Sequence, residues 1–398
     1  MIGVESRRAA MRLLDAVLRK GLPLEAALDT AARDLARPED RAFAHAIAAE
    51  TLRRLPDLDA LIDRATRKRL PDDAKARFAL RIALVQALAL GTPHHAAIST
   101  ALPLVDGGPR RLVHGVFSTV MREQWTLPEV PTLPEPVASR WHDAWGGAIV
   151  DAAARLIAAP PPIDLTFRDP EAAPAIDGVS LAPGHVRVPA GTAVADLPGY
   201  SEGAFWVQDV SAATPARLLG QGEGCTALDL CAAPGGKTMQ LAAGGFSVTA
   251  LDVSESRLAR LSENLARTGL SAELVTADVM KWSPPEPVDA ILLDAPCSAT
   301  GIFRRHPDVL HRVRPRAIAA LAEVQQAMLA RAADWLKPGG SFVYSVCSLE
   351  PQEGEAVVDA FLAARDDYRE TERQRILPGA FAKAGGADSF FISHLIRK

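Results

Sequence analysis

Apolar residues recur at three- and four-residue spacing through residues 5–125, as in Ala44, Ile47, Ala48, Leu52 and Leu55, then Leu58, Leu61 and Ile62. That spacing marks one face of an α-helix. Pro and Gly fall between these stretches and no period-2 run interrupts them, so residues 1–127 are expected to form an all-helical domain of six or seven helices. Pro128, Pro131, Pro134 and Pro136 then break the pattern. Residues 137–159 look like one further helix, closed by Pro160-Pro161-Pro162. Short apolar segments between Gly and Pro turns follow, at Ile163–Phe167, Val186–Val188 and Ala204–Val207, and they predict a small α+β subdomain. Linker helix and subdomain together occupy 128–210.

Within 211–398 the rhythm becomes alternating helix and strand. Helices are expected at 213–219, 237–243, 255–268 and 316–336, and strands at Thr226–Leu230, Ser247–Leu251, 273–276, 288–293 and Ser341–Val346. Such βαβ alternation predicts an α/β, Rossmann-like domain with a mostly parallel sheet covered by helices on both faces. Leu336-Lys337-Pro338-Gly339-Gly340 is expected to be the turn ending the last long helix.

The composition narrows the class. With 398 residues, 48% hydrophobic and 23% charged, the chain is expected to be globular and multidomain. No run is long enough to cross a bilayer and no apolar leader opens the chain, so a cytoplasmic protein with no membrane partner is expected. The net charge is -4, but residues 1–125 hold 20 Lys plus Arg against 15 Asp plus Glu. A basic N-terminal domain could touch phosphates. The four cysteines, at 225, 231, 297 and 347, have neither a disulfide framework nor metal-ligand spacing, so they are expected to be free thiols, with no metal site.

Leu228-Asp229-Leu230-Cys231-Ala232-Ala233-Pro234-Gly235-Gly236-Lys237-Thr238 is a strand, a loop of small residues and a helix start. Small residues let a ligand approach the backbone, and a helix N-terminus offers free N–H donors. A phosphate-binding P-loop needs glycine where Cys231 stands, and a dinucleotide fingerprint needs GxGxxG, which is absent. A loop around the methionine part of S-adenosylmethionine makes neither demand. Asp252, 17 residues beyond Gly235, fits an acceptor for ribose hydroxyls, and Asp278 would lie near the adenine. A purely structural turn is the competing explanation, against which stand Asp229, Asp252, Asp278 and Asp294, each at a strand end.

Cys297, in Asp294-Ala295-Pro296-Cys297, and Cys347, in Tyr344-Ser345-Val346-Cys347, each follow an apolar strand. Loops at strand carboxyl ends line the crevice of a doubly wound sheet, so the two thiols are expected to face each other across one bound molecule. A thiolate adding to C6 of cytosine makes C5 nucleophilic enough to attack a methyl sulfonium, after which the C5 proton and the thiol must leave. One cysteine can attack while the other assists elimination, and Asp294 can hydrogen-bond the N3 and N4 edge. Cys225 and Cys231 are expected to be packing residues.

Ala232–Thr238, Asp294–Gly301, Arg304-Arg305-His306-Pro307-Asp308, Cys347–Glu355, Phe205–Asp209 and Phe390-Phe391-Ile392 together resemble the RNA 5-methylcytosine methyltransferases of the RsmB (Fmu, Sun) branch. Residues 5–125, with Asp40-Arg41-Ala42 and Thr51-Leu52-Arg53-Arg54, resemble the NusB-type RNA-binding domain of that branch. The resemblance implies Cys347 as nucleophile, Cys297 as the group that helps release the product, and Asp294 at the cytosine. It further implies that Cys231, Ala232, Ala233, Pro234, Gly235, Gly236, Lys237, Asp252, Arg257, Asp278 and Asp294 hold S-adenosylmethionine, with Arg304 and Arg305 meeting RNA. The implied substrate is small-subunit (16S) ribosomal RNA, with transfer RNA as the alternative, and a monomer is expected. Val346 stands where the family usually has Thr, and Leu310 and His311 replace a basic and an aromatic residue. Two rivals are a non-catalytic NusB-like RNA-binding factor, which would leave Cys347 idle, and an amino-group methyltransferase, which would want Pro at position 297.

Overall fold

In the computed structural model, which describes residues 3–398, the N-terminal pattern becomes seven α-helices. They are α1 (Val4–Leu18), α2 (Leu24–Ala31), α3 (Pro38–Arg53), α4 (Leu55–Ala65), α5 (Lys75–Leu88), α6 (His94–Ala101) and α7 (Gly107–Arg122). Ala44, Ile47, Ala48, Leu52, Leu58 and Ile62 are all buried, so the period seen in the sequence is the face that builds the core. Two of the cations behind the positive excess are internal struts. Arg77 is fully buried, with Nε 3.1 Å from Asp59 and Nη1 2.7 Å from Asp63, and Arg81 grips both oxygens of Asp59 at 2.8 Å.

The single linker helix expected over 137–159 is two helices, α8 (Glu135–Trp145) and α9 (Gly147–Ile157). Gly146 separates them with φ 82°, a left-handed conformation that ends α8 and that a side chain would resist.

Three antiparallel strands, β1 (Ile163–Phe167), β2 (His185–Val188) and β3 (Phe205–Val207), form the small sheet in the order β2-β1-β3. Asp164 on β1 accepts from Arg187 on β2 at 2.6 and 2.7 Å and from the Val210 N–H at 2.9 Å, tying this sheet to the helix that follows. Next come α10 (Val210–Leu218), β4 (Thr226–Leu230), α11 (Gly236–Ala243), β5 (Ser247–Asp252), α12 (Glu255–Thr268), β6 (Glu273–Thr276) and β7 (Val288–Asp294). The chain continues as α13 (Val309–Arg312), α14 (Pro315–Ala333), β8 (Leu336–Val346), α15 (Glu355–Ala364), β9 (Tyr368–Ile376), β10 (Pro378–Phe381) and β11 (Phe390–Arg397).

The large sheet has seven strands in the order β6-β5-β4-β7-β8-β11-β9. β6, β5, β4, β7 and β8 run parallel, while β11 is antiparallel to both of its neighbours. The Rossmann-like expectation therefore holds, with an antiparallel edge added by the C-terminal strands. The expected turn at 336–340 lies inside β8. Val288 pairs with Leu336 and Ala290 with Ser341, so residues 337–340 bulge out of the ladder, with Gly339 at φ 80°. The carboxyl ends of the five parallel strands place Leu230, Asp252, Thr276, Asp294 and Val346 along one edge.

Two compact units result: Met1–Ala159 with Phe303–Val313, and Pro160–Ile302 with Arg314–Lys398. The 303–313 segment thus packs with the helical unit although it follows the Cys297 loop in sequence. Phe303, Val309 and Leu310 are buried, and Phe303 lies 5.3 Å from the Trp141 ring. His311 hydrogen-bonds the Leu52 carbonyl at 2.7 Å, and burial pulls its pKa down to about 4. This corrects one expectation. Arg304 is only 1% exposed within that anchored segment, so its guanidinium is a buried structural group and not an RNA-facing one, whereas Arg305 is exposed. Leu310 and His311 stand at docking positions, which explains an apolar residue and a neutral imidazole there. No helix among the described residues is long and apolar enough to cross a membrane.

Candidate active site

The loop after β4 is built by backbone geometry that few residues tolerate. Cys231 sits at φ 65° and Gly235 at φ 105°, and the Ala233–Pro234 peptide is cis. A Cβ at Gly235 would lie 2.0 Å from Leu261 Cδ1 on α12, so glycine is required there by both conformation and space. Asp252, at the end of β5, braces the loop: its Oδ2 accepts the Ala233 N–H at 3.2 Å and its Oδ1 accepts the Ser254 N–H at 3.0 Å. Arg257 completes the brace, 3.3 Å from Asp252 and hydrogen-bonded to the Ala233 carbonyl. Asp278 is half-exposed beyond β6, with one oxygen taken by the Met280 N–H at 2.9 Å. Burial, with the nearby charges of Asp294 and Asp252, pushes the Cys231 thiol up to about 12 and removes it from the list of nucleophiles.

Asp229, inside β4, is fully buried. Its Oδ2 accepts from Thr238 Oγ1 at 2.5 Å, while its Oδ1 has no protein partner. Burial pushes this carboxyl up to about 7, against the opposing hydrogen bond from Thr238 and charge of Lys237.

Asp294 ends β7 and is held from two sides. Lys237 Nζ reaches its Oδ2 at 2.7 Å and Ser345 Oγ its Oδ1 at 2.9 Å. Burial alone would lower the Lys237 pKa, but the Asp294 charge and hydrogen bond outweigh it and raise the value, keeping the ammonium charged. Beyond these groups the two thiols meet, with Cys297 Sγ 3.5 Å from Cys347 Sγ. They stand side by side, not across a bound molecule as the sequence suggested, because β7 and β8 are adjacent parallel strands and both cysteines leave the same edge. The hydrogen bond to Cys347, then burial and the charges of Cys347 and Glu353, hold the Cys297 thiol well above the usual range. Cys297 is therefore held as a neutral thiol.

Sequence reasoning missed how these loops are held. Glu353 is buried and accepts from the Ser298 N–H at 2.8 Å and from Ser298 Oγ and Ser348 Oγ, both at 2.5 Å. The available signal was the repeated Cys–Ser dipeptide, Cys297-Ser298 and Cys347-Ser348, after two neighbouring strands.

A family model described as 16S rRNA methyltransferase RsmB/F matches residues 216–395, and a NusB family model matches residues 4–122. The Ribosomal RNA small subunit methyltransferase B of Erwinia tasmaniensis is 33% identical over 428 residues, covering 98% of this chain and 98% of that protein. The chain belongs to the RsmB family. The crystal structure of PH0851 has a TM-score of 0.76 at 21% identity, covering 100% of this chain and 99% of that one. NSun6 from Pyrococcus horikoshii has a TM-score of 0.59 at 19% identity, over 66% of this chain and 98% of that one. Both show the shared fold, and the NusB-like and Rossmann-like expectations agree with it.

The RsmB family is one of S-adenosylmethionine-dependent methyltransferases. The loop after β4 leads into the α11 N-terminus, whose N–H groups suit a carboxylate, and Asp229 Oδ1, buried in β4, has no protein partner. Asp229 also sets a pH dependence. Because its pKa is raised on folding, the free protein loses stability as pH rises from the ordinary aspartate range, about 4, to about 7, and not beyond. In thermal melts of the free protein, Asp229→Asn should gain a few degrees on the parent between about pH 5 and pH 7, then level off. A constant difference would contradict the shift.

Proposed function

We propose that this chain methylates C5 of a cytosine in small-subunit ribosomal RNA through a covalent adduct between Cys347 Sγ and C6. The observation that carries this reading is the pair of thiols 3.5 Å apart at the ends of adjacent strands, beside the Asp294–Lys237 pair. Transfer to an amino nitrogen would use neither thiol, and a binding module would need neither the thiols nor the braced loop. The relatives' names supply the substrate class.

S-adenosylmethionine, when bound, supplies a methyl group on an electron-poor sulfonium. The protein's task is to make C5 of an unactivated pyrimidine nucleophilic. Cys347 Sγ adds to C6, and the C5–C6 π electrons become available at C5. Asp294, fixed by Lys237 and Ser345, accepts from the N4 amino group at the N3 and N4 edge, and the Lys237 ammonium it holds offsets the negative charge that develops on the ring. After methylation a water molecule takes the C5 proton, the C5–H electron pair re-forms the C5–C6 double bond, and the S–C6 bond breaks with its pair on the Cys347 sulfur. Cys297, still protonated, donates to the departing Cys347 sulfur. Attack on the ring face requires the cytosine to be unpaired or turned out of its stack.

Bisulfite sequencing of total RNA from cells with and without the active chain tests the reading. One small-subunit cytosine should resist conversion only when the chain is active. Protection confined to transfer RNA would move the substrate, and no chain-dependent protection would remove the activity.

A further inference from the structure

Two loops must place two sulfur atoms against one pyrimidine, and the two sulfurs meet at 3.5 Å. What anchors the loops is Glu353. Its Oε1 takes the Ser298 N–H at 2.8 Å and Gln325 Nε2 at 3.2 Å, and its Oε2 takes Ser298 Oγ and Ser348 Oγ at 2.5 Å. Gln325, fully buried on α14, also donates to the Pro296 carbonyl at 2.9 Å, and Tyr344 OH donates to the Glu353 carbonyl at 2.6 Å. The residues so held are Pro296 and Ser298, flanking Cys297, and Ser348, following Cys347. Thr300 Oγ1 closes the ring, 3.3 Å from Ser348 Oγ and accepting the Leu349 N–H at 3.0 Å.

The geometry points to Glu353 as the positioning residue of the thiol pair, a carboxyl group that staples the Cys297 loop to the Cys347 loop and so sets their sulfur separation. It does not reach the sulfurs itself; it acts through the serines next to them. Four neutral donors converge on two oxygens in a dry site, where each hydrogen bond is strong and each lost one is costly. Asp294, Lys237 and Ser345 make the corresponding brace on the strand side of the thiols. The sulfurs are therefore held between two polar clusters; the Glu353 cluster spans both cysteine loops, which the Gly301 N–H also joins by donating to the Cys347 carbonyl at 3.0 Å. What the thiols do when so placed rests on the methyl-transfer reading above, but the stapling does not.

Two readouts separate these statements. The first is the rate at which diamide joins Cys297 and Cys347, forming one S–S bond as diamide is reduced to its hydrazide, followed by peptide mapping of the free protein. The second is steady-state methylation of ribosomal RNA. Glu353→Ala should slow thiol joining roughly tenfold and lower kcat about 10²-fold, with RNA KM within about twofold, because misplacing reacting atoms costs turnover and not binding. Glu353→Gln keeps an acceptor for Ser298 N–H and Gln325, and the serine hydroxyls can turn to accept from its amide, so it should recover most of both quantities. Should the alanine variant fail to fold, Ser298→Ala and Ser348→Ala, each cutting one leg of the staple, should shift both readouts in the same direction by less. Folded variants with parental joining rate and parental kcat would overturn the proposal. Slowed joining in a protein whose parent methylates no cytosine would leave the staple standing and remove the activity instead.

Discussion

Cys347→Ala is expected to lower methyl transfer at least about 10⁴-fold, a loss of the size seen when the sole nucleophile of a covalent mechanism is removed. Cys347 is itself only partly buried at the end of β8 and alanine keeps its backbone and Cβ, so its replacement should leave the melting temperature and the affinity for S-adenosylmethionine near the parent's. Titration calorimetry and a single-turnover methylation assay measure the two halves of that statement. A variant that binds the methyl donor normally and still methylates cytosine at a measurable fraction of the parental rate would remove Cys347 from the chemistry.

Cys297→Ala should behave in the opposite manner. Attack by Cys347 and methylation remain possible, but the sulfur then leaves without a proton donor 3.5 Å away. Loss of one such donor slows a step by roughly 10²–10⁴-fold, so release should become limiting and the RNA should stay attached. On a denaturing gel, a protein–RNA adduct approaching one RNA per chain is expected for Cys297→Ala, and none for Cys347→Ala. The asymmetry follows from environment: Cys297 keeps its proton because its partner thiol, its burial and the charge of Glu353 all disfavour the thiolate.

Much of the fold was legible because its signals are local. β1, β4, α12 and β6 stand at the bounds expected from apolar runs and turn residues, and the Ala44–Ile62 stripe is the buried face of α3 and α4. The failures share a different cause, which is contact between residues far apart in sequence. Nothing in Phe303-Arg304-Arg305 announces that this segment packs with helices more than a hundred residues earlier, so Arg304 looked like an exposed cation. The antiparallel placement of β11 between β8 and β9 depends on pairing order and is not a property of any one strand. Gly146 ends a helix inside a stretch whose apolar period runs on, and the glycines of the 337–340 bulge lie within a strand where the sequence predicts a helix-ending turn.

The candidate site divides in the same way. The residues that the motif carries, from Cys231 to Lys237 with Asp252, Arg257, Asp294, Cys297 and Cys347, gather at the carboxyl edge of the sheet, while Asp278 stands half-exposed beyond β6. Asp252 and Arg257 brace the loop in this structure, a role that a sequence pattern could not separate from contact with a ligand. The side-by-side thiols and the Glu353 staple became visible only once β7 and β8 were known to be neighbours. Before that, Ser298, Ser348 and Glu353 were ordinary polar residues without an assigned partner.

The division of labour between the two thiols is tested most directly by trapping with RNA in which cytosine carries fluorine at C5, since methylation then leaves no C5 proton to lose and the adduct cannot resolve. After nuclease digestion and proteolysis, mass spectrometry of the adduct should place the modified nucleotide on the peptide containing Cys347, in the parent and in Cys297→Ala alike. A nucleotide on the Cys297 peptide, or an adduct that forms undiminished in Cys347→Ala, would contradict the assignment of Cys347 as the attacking thiol.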